Sequence, residues 1–238
     1  MWEDIFPRLV DGKYRVIMYD RRGFGRSEGG DDFLAFHLSD GYRQSSVDEL
    51  CMIKKPLDIG PYHLIGQYDG GVIITVDYAG RYPDDVLSVT VASTQCYGEV
   101  PMIQLKKERL TSYFWDLEEG LQMKMIDWHG EMAKIKYNQF AKHGGEYGAG
   151  YFDLRDSLPE VLCPALVLYP DRSSVFPVEQ ALAFYRGLPR GELSISPPHC
   201  GHNAYEQKPD DYIRTILDFL VRIGETEKRE RPSMACLE

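Results

Sequence analysis

Residues 61–76 read PYHLIGQYDGGVIITV. An apolar run, a turn built on Gly66, Gly70 and Gly71, and a second apolar run follow one another without a spacer. This is the layout of a strand turning sharply into a helix, with the pattern G-x-Nu-x-G and a nucleophile at its centre. The glycines are needed because the turn is tight and its middle residue is held in a strained backbone conformation. The usual occupant of that position is Ser, Cys or Asp; here it is Tyr68. A phenol with an ordinary pKa near ~10 is a poor nucleophile for acyl transfer at neutral pH but a reasonable proton donor.

The rest of the chain reads as strands alternating with helices. Apolar spacing predicts a short helix over 2–10, a strand over 13–20, a Gly-rich loop RRGFGRSEGG and an amphipathic helix over 41–55. Strand 61–65 leads into the turn and helix 70–82 follows, with another strand over 87–94. Residues 96–158 change character: rich in Met, aromatic residues and charge, they read as two or three helices without clear strands. Strand 163–170, helix 178–188, strand 191–198 and a closing helix over 209–224, opened by Pro and acidic residues, complete the pattern. Such alternation implies a mostly parallel sheet with helices on both faces. The expected division is a core of 1–95 and 159–226, a helical cap insert of 96–158, and a charged tail of 227–238. The cap is expected over the carboxyl ends of the strands, where such sheets bind ligands.

These motifs together resemble the α/β-hydrolase family across nearly the whole chain. YRVIMYDRRGFGRS is similar to its strand-plus-loop D-x-R-G-x-G-x-S, and the turn at Tyr68 lies about forty residues on, as in the family. DLRDSLPEVLCPALVLYPDRSSVFP is similar to the return from cap to sheet, normally ending G-x-x-D-x-x-x-P. PHCGHNAYEQKPDDYIRTILDFL is similar to the segment that holds the catalytic His. The resemblance implies an α/β fold and places His202 in the base position. It also shows departures. Tyr68 replaces the nucleophile, Ser173 stands at the acid position with Asp171 two residues earlier, and Pro170 replaces a Gly. A Ser-His-Asp mechanism needs a base that deprotonates the nucleophile and an acid that orients the base; neither relation survives as written. The family's first strands and its oxyanion loop have no counterpart, which leaves only the Asp69 amide as an oxyanion donor and argues against an esterase, lipase or amidase. The missing strands would leave an edge beside strand 61–65, from which a homodimer, or a sequence lacking its true start, is expected.

The candidate catalytic residues are therefore His202, Asp69, Tyr68 and Asp20, with Gln67, Arg21, Trp128 and Met125 as candidate substrate contacts. His202 offers a base or, protonated, an acid. Tyr68 offers a proton donor, with a mere pocket filler as the bland alternative. Asp69 is a carboxylate one residue late for an elbow nucleophile, and a turn-stabilising role stands beside it. Asp20 or Asp171 would orient His202; for Asp20 the competing role is to hold its loop through backbone amides. Arg21 and Arg22 by default belong to surface or structure. His199 and Cys200 read first as packing or loop residues. The cap residues Met102, Met123, Met125, Met132, Phe114, Trp115 and Trp128 are either core or the greasy wall of a pocket. These parts suit cofactor-free acid–base chemistry, with an epoxide of a hydrophobic natural-product intermediate opened by water or an internal hydroxyl. A ligand-binding or scaffold protein without catalysis, and a lyase or isomerase, are the alternatives.

Composition narrows the partners. A net charge of −10 and a pI near 5.1 argue against a general nucleic-acid surface. No apolar run approaches the ~20 residues of a membrane span. Five scattered cysteines without C-x-x-C spacing suit free thiols, a reducing, cytoplasmic setting and no zinc site. RRGFGRSEGG lacks the G-K-[ST] of a phosphate loop. The expected partners are a hydrophobic small molecule and a second copy of the chain, with no cofactor, metal, nucleic acid or membrane.

Overall fold

Four short runs of β-branched and leucine-rich residues build the sheet. The computed structural model describes residues 2–37, 39, 41–98, 113–142 and 153–230. Its strands are β1 (Tyr62–Gln67), β2 (Val86–Ala92), β3 (Ala165–Tyr169) and β4 (Gly191–Ile195), all parallel and in the order β1-β2-β3-β4. The register pairs Gln67 with Ala92, Ala92 with Leu168, and Tyr169 with Ile195, so the strands end at one level. The helices are α1 (Phe6–Asp11), α2 (Phe33–His37), α3 (Tyr42–Lys54), α4 (Tyr68–Arg81), α5 (Glu119–His129), α6 (Ala133–Lys142), α7 (Val178–Gly187), α8 (Ala204–Gln207) and α9 (Pro209–Glu230).

Side chains alternate across a strand, and the sheet uses both faces. Ile65 on β1 and Leu166 and Leu168 on β3 pack into one cluster with Leu9 of α1 and Tyr212, Ile213, Ile216, Phe219 and Leu220 of α9. That helical spacing of i, i+1, i+4, i+7 and i+8 is the amphipathic stripe that buries one face of a helix. Each such side chain contributes about 1.5–3 kcal/mol on burial. Gly66 points the other way: a Cβ there would meet Thr75 and Gly71 of α4, so α4 covers the opposite face.

Contacts divide the chain into two compact units. The first comprises Met1–Val16, Gly60–Thr94 and Ser157–Glu238 and contains the sheet; the second comprises Ile17–Ile59 and Gln95–Asp156. The expected core of 1–95 and 159–226 differs in one place, because residues 17–59 group with the 95–156 region. Within the second unit Phe114 clusters with Ala133, Tyr137 and Ala141 of α6, Met125 of α5 packs against that cluster, and the Gly25 amide donates to His129 Nδ1 at 2.9 Å. Between 96 and 158 its described helices are α5 and α6; Met102 lies outside the described residues.

Two expectations are corrected. The strand predicted over 13–20 does not form: residues 14–20 have no regular structure. A strand exists only in a ladder, and here the Tyr14 amide is taken by the Leu9 carbonyl at the end of α1 (3.2 Å), while Lys13 has φ +70°. Apolar composition alone did not supply a partner. The first residues of the tail expected from 227 are helical, because α9 continues through Glu230; residues 231–238 lie outside the described residues.

Candidate functional site

The carboxyl ends of the parallel strands bring the site together. Tyr68 follows β1, Asp171 and Ser173 follow β3, and the loop carrying His199 to Asn203 follows β4. The turn at Tyr68 is the predicted elbow in full. Gln67 is extended (φ −123°, ψ 137°), Tyr68 has φ +58°, and α4 begins at once. A bulky residue with positive φ is a backbone outlier that costs about 1–3 kcal/mol. Its cause is visible two residues earlier. A Cβ on Gly66 would lie 2.6 Å from Thr75 Oγ1 and 2.7 Å from the Gly71 carbonyl oxygen, so strand and helix meet too closely for any other residue or a wider turn. Thr75 reinforces this by donating to the Gly71 carbonyl at 2.8 Å.

Tyr68 carries its hydroxyl into a polar cluster. It donates to Asn203 Oδ1 at 2.7 Å and lies 3.3 Å from the Tyr205 hydroxyl. Burial pushes the Tyr68 phenol up to about 12, partly opposed by the Tyr205 hydrogen bond. At pH 7 about one molecule in 10⁵ carries a phenolate there. His202 does not hydrogen-bond to the elbow residue in the manner of a general base. Its ring lies against the Tyr68 ring with centroids 4.8 Å apart and planes tilted by 32°, and Phe176 meets its other side edge-on at 5.1 Å.

Ser173, at the acid position, decides the state of His202. Its Oγ accepts from the Val175 amide at 3.2 Å and the Phe176 amide at 3.0 Å, and lies 3.3 Å from His202 Nδ1. A hydroxyl has two acceptor positions and one proton. With both acceptor positions taken by amides, the hydroxyl proton is the group left to bond Nδ1, an arrangement that favours the tautomer with its proton on Nε2. In a Ser-His-Asp site the carboxylate imposes the reverse arrangement, Nδ1–H with a bare Nε2. The geometry at Ser173 thus favours an imidazole of inverted polarity.

The other predicted residues have definite places. Asp171 does not orient His202: its Oδ1 accepts the Cys200 amide at 3.0 Å, and the Cys200 and His199 amides hold its carboxyl below the usual range. It anchors the loop, as does Gln207, whose Oε1 accepts the Gly201 amide at 2.9 Å. Gln67 is buried (4 % exposed); its Oε1 accepts the Tyr212 hydroxyl at 2.6 Å, its Nε2 has no hydrogen bond of good geometry among the described residues, and its side chain acts to lower the neighbouring Tyr68 phenol. The side chain of Asp69 lies outside the described residues. Asp20, Arg21, Met125 and Trp128 belong to the second unit. There Asp20 Oδ2 accepts the Arg26 amide at 2.9 Å, the loop-holding role. Arg21 reaches the Tyr42 hydroxyl at 3.1 Å and lies 4.4 Å from the Phe24 ring centroid. Met125 packs on the Phe114 cluster, and Lys124 lies over the Trp128 ring at 5.5 Å.

Asn203, Tyr205, Tyr212 and Phe176 were not singled out in the sequence. Asn203 precedes α8 at the position where Asn ordinarily caps a helix, which hides its use. Its side chain makes no cap bond and instead accepts from Tyr68, with Nδ2 3.4 Å from Glu206. Among the described residues no group of three His, Cys, Asp or Glu side chains is arranged to hold a metal, and no helix is long and apolar enough to cross a membrane.

Comparison with known proteins agrees with this geometry. A family model described as alpha/beta hydrolase fold matches residues 1–124. The chain is 24% identical over 245 residues to a 2-hydroxy-6-oxononadienedioate/2-hydroxy-6-oxononatrienedioate hydrolase of Burkholderia vietnamiensis, covering 91% of this chain and 81% of that protein. It is 20% identical over 233 residues to the monoacylglycerol lipase ABHD6 of Mus musculus, covering 80% and 67%. Among solved structures, a bromoperoxidase from Bacillus anthracis superposes with a TM-score of 0.69 at 19% identity, covering 92% of this chain and 86% of that one. An enol-lactonase from Burkholderia xenovorans gives 0.68 at 20%, covering 92% and 85%. At such identities the structures establish the fold alone; the two relatives are named a hydrolase and a lipase. With more than half of its length matched by the family model, the chain belongs to the α/β-hydrolase fold family of enzymes.

Proposed function

We propose that this hydrolase-fold protein acts on its ligand without a covalent acyl-enzyme, gripping an oxygen atom of an apolar small molecule with neutral hydrogen-bond donors. The observation that carries this reading is the Ser173 hydroxyl facing His202 Nδ1 with both of its acceptor positions filled by amides. It leaves His202 as a donor through Nε2, next to a Tyr68 phenol that stays protonated at neutral pH. Acylation needs a nucleophile and a base; this pair is two acids.

Opening of an epoxide is the reaction such a pair suits. The Tyr68 phenol hydrogen-bonds the strained oxygen and hands it a proton as the C–O bond breaks, while water or a hydroxyl of the substrate attacks carbon; the proton that the attacking oxygen gives up goes to the phenolate left behind and restores Tyr68. The specific support is a phenol kept un-ionised at the elbow. A hydrophobic natural-product intermediate as substrate, a cytoplasmic location and a homodimer accompany this proposal; the buried thiols of Cys96, Cys163 and Cys200 are in keeping with a reducing compartment. Binding without turnover is the reading that remains if no bond is broken.

The test has two arms. Intact-mass measurement after p-nitrophenyl acetate treatment should show no acyl-protein at residue 68 or 202, and its appearance would refute the proposal. A panel of apolar epoxides followed by chromatography should show opening that Tyr68→Phe abolishes while leaving the unfolding midpoint within ordinary mutational change. Saturable binding of the panel without product would retire epoxide opening and retain the donor site.

A further inference from the structure

The second unit carries an open groove of about 580 Å³ whose floor is formed by Met52, Ile53, Pro56 and Leu57 from the end of α3 and the turn after it. Met52 is 66 % exposed and Leu57 38 %. A volume of this size lies in the range of small-molecule sites. The rim carries three carboxylates, Asp20, Glu28 and Glu49, and one cation, Arg22.

These charges do not cancel. Arg22 is committed elsewhere: Nη2 pairs with Asp32 at 2.5 Å, Nε donates to the Gly29 carbonyl at 2.8 Å, and the guanidinium lies 4.2 Å from the Phe36 ring centroid. Asp20 takes the Arg26 amide and acts on the charge of Lys136. Glu28 and Glu49 are left without an ion-pair partner among the described residues; Lys54 and Lys55, on the same stretch of chain, do not line the groove. Glu49 lines the groove together with Tyr19, whose phenol burial pushes up to about 12, with Arg21 opposing and Glu49 adding to the rise.

We propose that this groove binds a small organic cation, an ammonium or guanidinium group set on an apolar body. The apolar part covers Met52, Ile53 and Leu57, and the cationic end lies between Glu28 and Glu49. A metal ion is a poor match, because hard cations want six or more oxygens and the floor offers none. The groove shares no residue with the Tyr68 cluster, so its failure leaves the function proposed above untouched.

Three isosteric probes test it on the full chain: 4-phenylbutylammonium, 4-phenylbutanol and 4-phenylbutyrate, each titrated by NMR with the Met52 methyl as reporter. The ammonium is expected to bind about tenfold more tightly than the alcohol, the scale of two exposed ion pairs, and the carboxylate more weakly than either. Raising salt should narrow the gap. Combining Glu28→Gln with Glu49→Gln should bring the ammonium to the affinity of the alcohol, and Met52→Ser should weaken both. Equal binding of the three probes, absence of any binding at millimolar concentration, or an ammonium preference that survives the double Gln variant would overturn the proposal.

Discussion

Replacing Tyr68 by Ser returns a hydroxyl to the elbow, where φ +58° and the N-terminus of α4 present it as in a serine hydrolase. The inverted His202 sets how little this alone achieves. A catalytic imidazole must have Nε2 bare, and in a serine protease the wrong tautomer lowers kcat by about 10⁴. Ser173, with both acceptor positions taken by amides, favours that wrong tautomer. Adding Ser173→Asp reverses it, because a carboxylate can only accept and so draws the proton to Nδ1. The Val175 and Phe176 amides that now bond to Ser173 Oγ would then favour the ionised acid. The double variant is therefore expected to be acylated by p-nitrophenyl acetate up to about 10⁴-fold faster than Tyr68→Ser alone. Each missing oxyanion donor lowers the absolute rate of both variants by about 10²–10³ without changing their ratio. Loss of the half-buried Tyr68 ring should cost about 2 kcal/mol, less than the ~3–5 kcal/mol of a fully buried aromatic; a urea unfolding curve checks that both variants remain folded. The assay is the initial burst of p-nitrophenolate together with the mass of the acetylated protein. Equal acylation of the single and double variants would show that Ser173 does not control the tautomer, and the argument for a non-acylating site would fall with it.

Three further outcomes follow from particular contacts. Gly66→Ala should lower stability by about 3 kcal/mol or more, read as a fall in the urea midpoint, because its Cβ meets the Gly71 carbonyl at 2.7 Å; adding Thr75→Ala should not rescue it, since that carbonyl stays. Tyr212→Phe removes the 2.6 Å bond to Gln67, whose Nε2 has no hydrogen bond of good geometry among the described residues, and should cost about 1–3 kcal/mol in the same assay. Acidification should loosen the second unit. Burial and Lys136 hold the His129 pKa below 6.5, against Asp20, while its Nδ1 accepts the Gly25 amide. The unfolded chain then binds the proton more readily, so stability is full above pH 6.5 and falls below it as His129 is forced to charge. A thermal melt should drop between pH 7 and pH 5, and His129→Gln, which keeps an acceptor and cannot titrate, should flatten that dependence; an unchanged slope would show that this bond does not matter.

Much of the fold was legible because it rests on local rules. Gly66 marks a close approach, and the structure shows the two atoms that forbid a Cβ. The stripe from Tyr212 to Leu220 marks a helix with one buried face. Residues 13–20 were misread for the complementary reason: YRVIMY has the composition of a strand, but pairing is a property of neighbours, and residues 14–20 join no ladder. At the site, residue types were readable and directions were not. Asn203 looks like a helix cap, and only the coordinates show its oxygen turned to Tyr68. Ser173 looks like the loss of an acid, whereas its geometry also favours an inverted imidazole, through two amides that no motif encodes.

The strain at Tyr68 is tempting evidence of function, since strained residues cluster at active sites. Here the inference does not hold by itself. The left-handed conformation is dictated by the contact of Gly66 with Thr75 and Gly71, which lie on either side of residue 68 and are indifferent to its side chain. Any residue placed there inherits φ near +58° for as long as β1 and α4 pack as they do. What is particular to this chain is the set of partners that receives the phenol: Asn203 and Tyr205 on its hydroxyl, and His202 on its ring. A filler needs only the ring contact. A tyrosine that also directs its proton to an amide oxygen on a separate loop specifies a hydroxyl, and Tyr68→Phe separates the two cases. It preserves the ring, the turn and the stacking on His202 and deletes only the donor, so a change in ligand handling with an unchanged unfolding midpoint assigns the role to the proton rather than to the space it fills.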